Sequence, residues 1–230
     1  MTILPRWTSP PGSFQLEVLE VRLDLAKFTK ETTNPRTYKE FYLQLISEYP
    51  SSDFFFFFDG WPGVAAAAVS TKHPRKPLTC RLPDDSSIYT AELRAILLTL
   101  KRINCSKRKS FLILSDSLSS LKAIFNLKYE HPVLVQILEL YMDLIVFVWV
   151  PSHGGIRGNS AADITAKDAL VGDTLVELIP FSDLKSCANK NILELWQSEW
   201  DELLGNKLHE IFPVLNECVV VLGQIEKKKL

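Results

Sequence analysis

Four acidic residues lie where the sequence pattern ends a strand or begins a helix, and acids in such places can bind metal ions. Asp59 follows five phenylalanines and Asp116 follows Phe111–Leu114 and Ser115, so each is expected at the carboxyl end of a strand. Open α/β sheets place their ligands at that edge. Glu92 and Asp163 lie in the first turns of predicted helices. Taken singly, all four also fit ordinary turn, N-cap or first-turn acids.

Taken together, the four carboxylates favour a metal site. Crowded carboxylates repel one another, and some would stay protonated without a cation. Mg²⁺ takes oxygen ligands and keeps several waters, which leaves room for phosphate oxygens. Two such ions ~3.5–4 Å apart can activate a water and stabilise the leaving oxygen in phosphodiester hydrolysis. We therefore predict a site for two Mg²⁺ ions, with Mn²⁺ able to substitute, at Asp59, Glu92, Asp116 and Asp163.

Glu92 has the most specific setting of the four acids. On a helix it shares a face with Ile96, Leu100 and Ile103, so its carboxylate lies on an otherwise apolar stripe. Burying an unpaired carboxylate is costly. A ligand role and a solvent-facing place in the first turn both remain open for this residue.

His153 lies in a glycine-rich loop, HGGIRG, between a predicted strand and the helix that carries Asp163. The glycines predict a mobile loop beside the acids. A histidine titrates near neutral pH, so His153 is predicted to handle protons or to assist the release of product and metal. A plain surface histidine is the alternative interpretation.

The elements that must position these residues form an alternating pattern. Three strand candidates come first, and they are followed by helix, strand, two helices, strand and helix, which is typical of a mixed α/β sheet. The predicted strands are 54–58, 64–70, 77–82, 111–114 and 145–150, and the predicted helices are 37–49, 88–103, 117–127, 132–141, one starting near Asn159, and helices within 181–212.

Composition narrows the class of protein. The 230 residues are 47% hydrophobic and carry a formal net charge of −1, so a nucleic acid would be bound by local patches or metal ions rather than by overall charge. The four cysteines form no C-x-x-C pair, which argues against a zinc ribbon or a disulfide framework. The first residues lack an apolar core, and no apolar run approaches the ~20 residues that span a bilayer. We expect an intracellular protein, cytoplasmic or nuclear, with no membrane partner.

Four local motifs resemble ribonuclease H of type 1, specifically the domain of non-LTR retrotransposons. Asp59-Gly60 is similar to the family's strand-end DGS, and Ala91–Ile96 is similar to its AEL.AI helix. Ser115-Asp116-Ser117 resembles its SDS motif, and Trp149–Ala169 resembles its WVPgH.Gi.GNe.AD segment. The flanking segments are similar, less specifically, to those around this domain in jockey-like arthropod retroelement polyproteins, so that residues about 16–215 are covered.

The resemblance implies a fold and an activity. The fold is a ribonuclease H-like five-stranded mixed sheet, three antiparallel strands then two parallel, with helices on both faces and helical flanking segments. The activity is metal-dependent endonucleolytic cleavage of the RNA strand of an RNA–DNA hybrid, with a reverse transcriptase of the same polyprotein as a possible partner. Asp59, Glu92, Asp116 and Asp163 would hold the metals, and His153 would be the auxiliary histidine. Gly60, Ser117 and Asn159 are expected to contact the substrate.

The same resemblance suggests domain boundaries. Residues 1–50 would be a linker and connecting segment, 51–172 the ribonuclease H domain, and 173–230 a C-terminal helical extension.

Departures from the family pattern keep other interpretations open. Trp61 follows Asp59-Gly60 where the family has serine, the first hairpin is short, and Ser160 replaces a glutamate. A remnant domain that binds nucleic acid or a partner without turnover is therefore the alternative function. A transposase or integrase nuclease is a further alternative, but that class has a glutamate on a late helix as its last acid. Here the glutamate, Glu92, lies on the first helix of the central part, and an aspartate, Asp163, on the last. Asp53 could replace Asp59 as the first acid, but it lies before the phenylalanine strand.

A basic cluster, residues 101–102 and 107–109, could bind phosphate. It precedes the strand that ends at Asp116, and at ~3.3 Å per residue it would lie roughly 20 Å from the metals. We therefore expect a solvated edge, with substrate binding resting on metals, backbone amides and 2′-hydroxyl contacts across the minor groove of the hybrid.

Overall fold

In the described part of the chain, six strands form one mixed sheet. The computed structural model describes residues 19–28, 33–50, 53–59, 64–70, 76–105, 110–128, 130–141, 145–152, 156–174, 179–203 and 205–215. The strand order is β1-β6-β5-β2-β3-β4. The strands are β1 (Glu20–Arg22), β2 (Asp53–Asp59), β3 (Ala65–Ser70), β4 (Leu78–Arg81), β5 (Phe111–Ser115) and β6 (Ile145–Trp149).

Two kinds of strand connection explain why the sheet is mixed. β2, β3 and β4 follow one another as an antiparallel meander. β5 runs parallel to β2, and β6 runs parallel to β5. Parallel neighbours need a long crossover, and the helices between β4 and β5 and between β5 and β6 supply it. The predicted α/β class and the mixed sheet are confirmed.

The predicted strand count was wrong, because the described residues form six strands in this sheet rather than five. The added strand is Glu20–Arg22, which pairs parallel to β6 with Val21 opposite Phe147. A three-residue strand is too short to show an alternating pattern of apolar residues, so no strand was predicted there. The segment before the phenylalanine strand therefore contributes to the sheet.

Several of the helices in the described part of the chain begin at a residue whose side chain caps them. Ser87 caps α2 by accepting from the amide of Thr90, and Ser117 caps α3 by accepting from the amide of Ser120. Asn34 caps α1, whose first residue is Pro35. The helices in the described part of the chain are α1 (Pro35–Ser47), α2 (Ile88–Asn104), α3 (Leu118–Phe125), α4 (Pro132–Leu140), α5 (Arg157–Ala169), α6 (Phe181–Glu202) and α7 (Lys207–Ile211); a short 3-10 helix spans Asp24–Lys27.

Both faces of the sheet are covered. Every residue of β3, β5 and β6 is buried, although successive side chains of a strand point to opposite faces. α2 and α5 both pack on β2 and β3, and α2 also packs on α3 and α4. Full burial of an aliphatic side chain contributes about 1.5–3 kcal/mol, so the buried stripe of α2 holds this helix firmly on the sheet.

The chain divides into two compact units, Met1–Asp183 and Leu184–Leu230. The first contains the sheet. In the second, the indole nitrogen of Trp200 donates to the carbonyl of Phe212, and the side-chain amide of Gln197 donates to the carbonyl of Pro213. The predicted boundaries at residues 50 and 172 stay predictions. Among the described residues, no helix is both long and apolar enough to cross a membrane.

Candidate active site

Two of the predicted acids end neighbouring parallel strands. Phe57 of β2 pairs in register with Ser115 of β5. Asp59 lies two residues beyond this pair and Asp116 one residue beyond it, so both backbones leave the sheet at the same edge. Adjacent strands lie about 4.8 Å apart, which makes these two acids neighbours along the edge. Of Asp59 the structure describes the backbone and not the side chain.

Asp59 is the last residue of β2 and is paired within the sheet. It pairs with Ala66 of β3 in the antiparallel ladder, so β2 stays hydrogen-bonded to its last residue. Asp53 pairs with Phe111 at the other end of β2. Six residues at about 3.3 Å each place Asp53 roughly 20 Å away, which confirms that it lies at the wrong edge to serve as the first acid.

The backbone around Asp116 is fixed by β6. The indole Nε1 of Trp149 donates to the carbonyl oxygen of Asp116 at 3.1 Å, and the amide of Val150 donates to the carbonyl of Ser115 at 3.0 Å. The amide of Ser117 donates to the hydroxyl of Ser115 at 3.1 Å. Asp116 itself is half-buried, so its carboxylate remains within reach of solvent at a rigid position.

Ser117, one of the predicted substrate contacts, has a structural task in this fold. Its hydroxyl accepts from the amide of Ser120 at 3.4 Å and donates to the hydroxyl of Ser120 at 2.8 Å. The side chain is thus the N-cap of α3. Its contact with a substrate stays a prediction, and the observed bonds show the hydroxyl engaged by its own helix.

Glu92 is buried on the second turn of α2. Its exposed fraction is 7%, and Ile96, Leu100 and Ile103 on the same face are all at most 1% exposed. This confirms the apolar stripe predicted from the sequence and excludes a solvent-facing place for the carboxylate. Since α2 packs on β2 and β3, Glu92 is carried by a helix fixed to the strand that ends at Asp59.

Asp163 is carried by the other helix that packs on β2. It lies in α5, and its side chain is 24% exposed. Lys167, one turn later, places its Nζ 3.2 Å from Asp163 Oδ2. The ammonium side chain is 57% exposed, so this ion pair contributes little to stability and can be displaced at little cost.

The four acids thus come from elements that all meet β2, but the described side chains do not form a metal site by themselves. β5 pairs with β2, and α2 and α5 pack on it. Among the described residues, no three His, Cys, Asp or Glu side chains lie close enough together to hold a metal ion. That finding covers Glu92, Asp116 and Asp163 and leaves out the Asp59 carboxylate at the shared strand.

Three further predicted residues cannot be placed in full. His153 and Gly60 lie outside the described residues. Asn159 is in the first turn of α5, and its side chain is likewise outside the described part. Their predicted roles in proton handling and substrate contact stay predictions.

The basic cluster lies away from the acids where it is described. Lys101 and Arg102 are exposed in the last turn of α2. Nine residues separate Lys101 from Glu92, which at 1.5 Å per residue is about 14 Å along the helix. The solvated edge expected from the sequence agrees with this position; residues 107–109 are outside the described part.

A buried polar cluster at the start of α2 was not predicted. Asp183 is 4% exposed and accepts hydrogen bonds from the amide of Ser87 at 2.9 Å, the hydroxyl of Ser87 at 2.9 Å and the hydroxyl of Thr90 at 2.6 Å. His131 Nε2 lies 3.0 Å from the Thr90 hydroxyl. Ser87 and Thr90 were visible in the sequence as helix caps, but nothing local connects them with an aspartate 96 residues later.

The imidazole of His131 is neutral in this cluster at physiological pH. Burial lowers its pKa to about 4, and the nearby Arg94 guanidinium acts in the same direction, while Asp183 opposes them. The histidine is 6% exposed, and its Nδ1 has no hydrogen-bond partner among the described residues. An unprotonated Nδ1 is consistent with that setting, because a buried N–H without an acceptor would be costly.

The protein-family model for RNase H matches residues 53–171, just over half of the chain. The matched stretch begins at β2 and ends just after α5, and it includes all four predicted metal ligands and His153. A search of curated proteins finds no significant match.

Proposed function

This chain belongs to the RNase H family, and we propose that it hydrolyses the RNA strand of RNA–DNA hybrids with two divalent metal ions. Family membership supports nuclease activity on such hybrids in general. The observation that carries the proposal is the register of β2 and β5, because Phe57 opposite Ser115 brings Asp59 and Asp116 to one edge of the sheet.

The residues present fit Mg²⁺ in their chemistry. All four proposed ligands, Asp59, Glu92, Asp116 and Asp163, are carboxylates, the hard oxygen donors that Mg²⁺ prefers. Asp59 ends β2, and the elements that carry or precede the other three acids, β5, α2 and α5, all contact β2. We therefore assign Asp59 the central position in the site. When bound, the ions would activate a water and stabilise the leaving oxygen.

The protein's own contribution is rigid placement of these carboxylates. Trp149 and Val150 hold the backbone on both sides of Asp116. The burial of Glu92 keeps bulk water from its carboxylate, which strengthens its interaction with a cation. Lys167 pairs with Asp163 at 3.2 Å, and a bound metal would take the place of its ammonium group. His153, which precedes α5 in the sequence, would carry a proton to or from the reacting phosphate.

Substrate selection would rest on the shape of the hybrid. The net charge of −1 supplies no general attraction for nucleic acid, and Lys101 and Arg102 lie at the far end of α2. We propose that the metals, backbone amides and contacts to 2′-hydroxyls across the minor groove bind the hybrid. Gly60, Ser117 and Asn159 are the proposed contacts, and the Ser117 hydroxyl would have to exchange one of its bonds within α3 for a bond to the substrate.

We further propose that the chain derives from a non-LTR retrotransposon polyprotein. The support is the similarity of its flanking segments to those of jockey-like arthropod elements. In the structure, one of these segments contributes strand β1 to the sheet. A reverse transcriptase of the same polyprotein would then generate the hybrid substrate.

A hydrolysis assay tests the proposed activity. The protein is incubated with an RNA–DNA hybrid labelled on either strand, in Mg²⁺ or Mn²⁺, beside single-stranded RNA, duplex RNA and duplex DNA. We expect cleavage of the RNA strand of the hybrid alone. Asp116→Asn should reduce the rate on the order of 100-fold or more, because a carboxylate needed at the reacting charge is lost.

Asp168→Asn is the matched control, because Asp168 is an exposed aspartate in α5. It should leave the rate unchanged. Equal cleavage by wild type and Asp116→Asn would reveal a contaminating nuclease. Absence of cleavage by the folded wild-type protein would favour the alternative, a remnant domain that binds nucleic acid or a partner without turnover.

A further inference from the structure

The start of α2 is capped twice, once from within and once from a distant part of the chain. In an ordinary capping box, the third residue of the helix returns a side-chain oxygen to the backbone amide of the N-cap residue. Here the N-cap is Ser87 and the third helical residue is Thr90, whose hydroxyl does not accept from the Ser87 amide. That amide is bound instead by Asp183, at 2.9 Å.

The Asp183 carboxylate determines which groups donate and which accept in this cluster of hydrogen bonds. Since Asp183 accepts only, the hydroxyl of Thr90 donates to it, and His131 must then donate its Nε2–H to Thr90. The Ser87 hydroxyl accepts from the Thr90 amide and donates to the other oxygen of Asp183. These bonds join the first turn of α6, through Asp183, to the start of α2. Thr90 of α2 is joined in turn to His131, the residue before α4.

Asp183 comes from outside the stretch that matches the RNase H family, which ends at residue 171. The chain beyond α5 nevertheless stays with the sheet. Thr174 forms a parallel bridge with Arg81 at the end of β4, and Ile179 and Pro180 are buried. The compact unit that holds the sheet ends at Asp183 itself.

The cap lies close to the proposed metal ligand on the same helix. Glu92 follows Ser87 by five residues and Thr90 by two, in the second turn of α2. An anion at a helix start also satisfies the positive end of the helix dipole. Loss of this anchor would free the first turn and change the position from which Glu92 reaches the site.

We propose that Asp183 is a positioning residue for Glu92, supplied by the segment that follows the family domain. This inference rests on the proposed function, because it gives Glu92 a metal to bind. Asp183 touches neither metal nor substrate in this account. It fixes the first turn of α2 through Ser87 and Thr90, and α2 presents the Glu92 carboxylate.

The test compares the full-length protein with Asp183→Asn, which keeps the side-chain shape and removes the charge and one acceptor. Hydrogen–deuterium exchange of the peptide spanning residues 88–97 reports the cap directly. Calorimetric titration with Mn²⁺ reports metal affinity without turnover. We expect about five- to tenfold faster exchange of the first-turn amides. We also expect Mn²⁺ affinity to fall about tenfold or more, as for loss of a group that orients a ligand.

Asp173→Asn is the matched control, since Asp173 is exposed and lies in the same connecting segment. It should match wild type in both measurements. Thr90→Ser, which retains the hydroxyl, should also match. If Asp183→Asn fails to fold, Thr90→Val carries the test, because it removes one donor to Asp183 while the Ser87 cap stays in place, and it should change exchange and affinity in the same direction by a smaller factor.

The exchange and Mn²⁺ measurements test the cap and the positioning role separately. Unchanged exchange in Asp183→Asn would contradict the cap, and faster exchange with unchanged Mn²⁺ affinity would contradict the positioning role. A wild type that neither binds Mn²⁺ nor cleaves the hybrid would overturn the proposed function and, with it, any role of Asp183 at a metal site. The exchange comparison would still show the lost cap in that case, so the two failures are distinguishable.

Discussion

The indole nitrogen of Trp149 donates a hydrogen bond to the backbone carbonyl of Asp116, 3.1 Å away. This bond joins the last residue of β6 to the residue just beyond the end of β5. It fixes the peptide unit that follows the Asp116 side chain. In the sequence, Trp149 is only an aromatic residue at the end of a predicted strand. In the structure it supports the backbone of a proposed metal ligand.

Replacing Trp149 with phenylalanine should weaken both the fold and the activity. Phenylalanine fills only part of a position that is 7% exposed, so the variant loses part of the buried ring as well as the N–H donor, which alone costs about 1 kcal/mol. Urea denaturation should show this loss, and hybrid cleavage should slow because Asp116 is less well held. Trp196→Phe, at a residue 55% exposed, is the control. Unchanged stability and rate in Trp149→Phe would contradict the support role.

Glu92→Gln should separate folding from metal binding. The amide keeps the size of the buried side chain, so the variant should fold, but it removes a proposed ligand. Mg²⁺ at 100 times its dissociation constant should stabilise wild type by about 2.7 kcal/mol and the variant by much less. Thermal unfolding with and without Mg²⁺ measures the difference. Glu139→Gln, at an exposed position in α4, should respond as wild type does. Equal stabilisation of all three would show that Glu92 is not a ligand.

His131 should make stability depend on pH in a defined window. The pKa of His131 is about 4 in the folded protein and about 6.5 unperturbed. Between these values His131 is protonated in the unfolded chain and neutral in the folded protein, which favours unfolding. The contribution of the neutral imidazole to stability is complete above about pH 6.5 and is lost as the pH falls toward 4. The loss amounts to at most about 3 kcal/mol.

Urea denaturation at several pH values between 6.5 and 4.5 checks this dependence. His131→Gln retains an N–H donor and cannot titrate, so its stability should fall less steeply with decreasing pH. Parallel pH profiles for wild type and His131→Gln would show that this imidazole does not carry the effect.

The double variant Lys101→Ala/Arg102→Ala should cleave the hybrid nearly as well as wild type. Both side chains are exposed in the last turn of α2, about 14 Å along the helix from Glu92. We expect less than about a threefold change in kcat/KM at 0.1 M salt, where exposed charges beyond about 10 Å are largely screened. A drop of tenfold or more in kcat/KM would place the hybrid on this edge.

Much of the fold could be predicted because its elements have strong local signals. The five phenylalanines and the alternation of apolar segments gave β2, β5 and β6 within a residue or two, and Ser87 marked the start of α2. β1 was missed because three residues show no period, and its place beside β6 depends on a contact 126 residues away, between Glu20 and Val146. Such pairing leaves no mark in the local sequence.

In the candidate site, too, the residues that lie on elements with a local pattern could be predicted, and those that depend on distant contacts could not. The placement of Asp116 and Glu92 on their elements followed from strand and helix patterns, and the structure agrees on both elements. The cluster around Asp183 could not be predicted, because it depends on a buried aspartate 96 residues from the amide it binds. The convergence of the four carboxylates remains a prediction that involves the Asp59 side chain.

A crystal structure with Mn²⁺ and an RNA–DNA hybrid, collected at a wavelength that reveals manganese, tests the central claim most directly. Asp116→Asn allows the complex to be trapped before cleavage. The account predicts anomalous peaks between Asp59, Glu92, residue 116 and Asp163, about 3.5–4 Å apart and beside the RNA phosphate. Manganese bound elsewhere, or a hybrid bound away from the edge where β2 and β5 end, would contradict it.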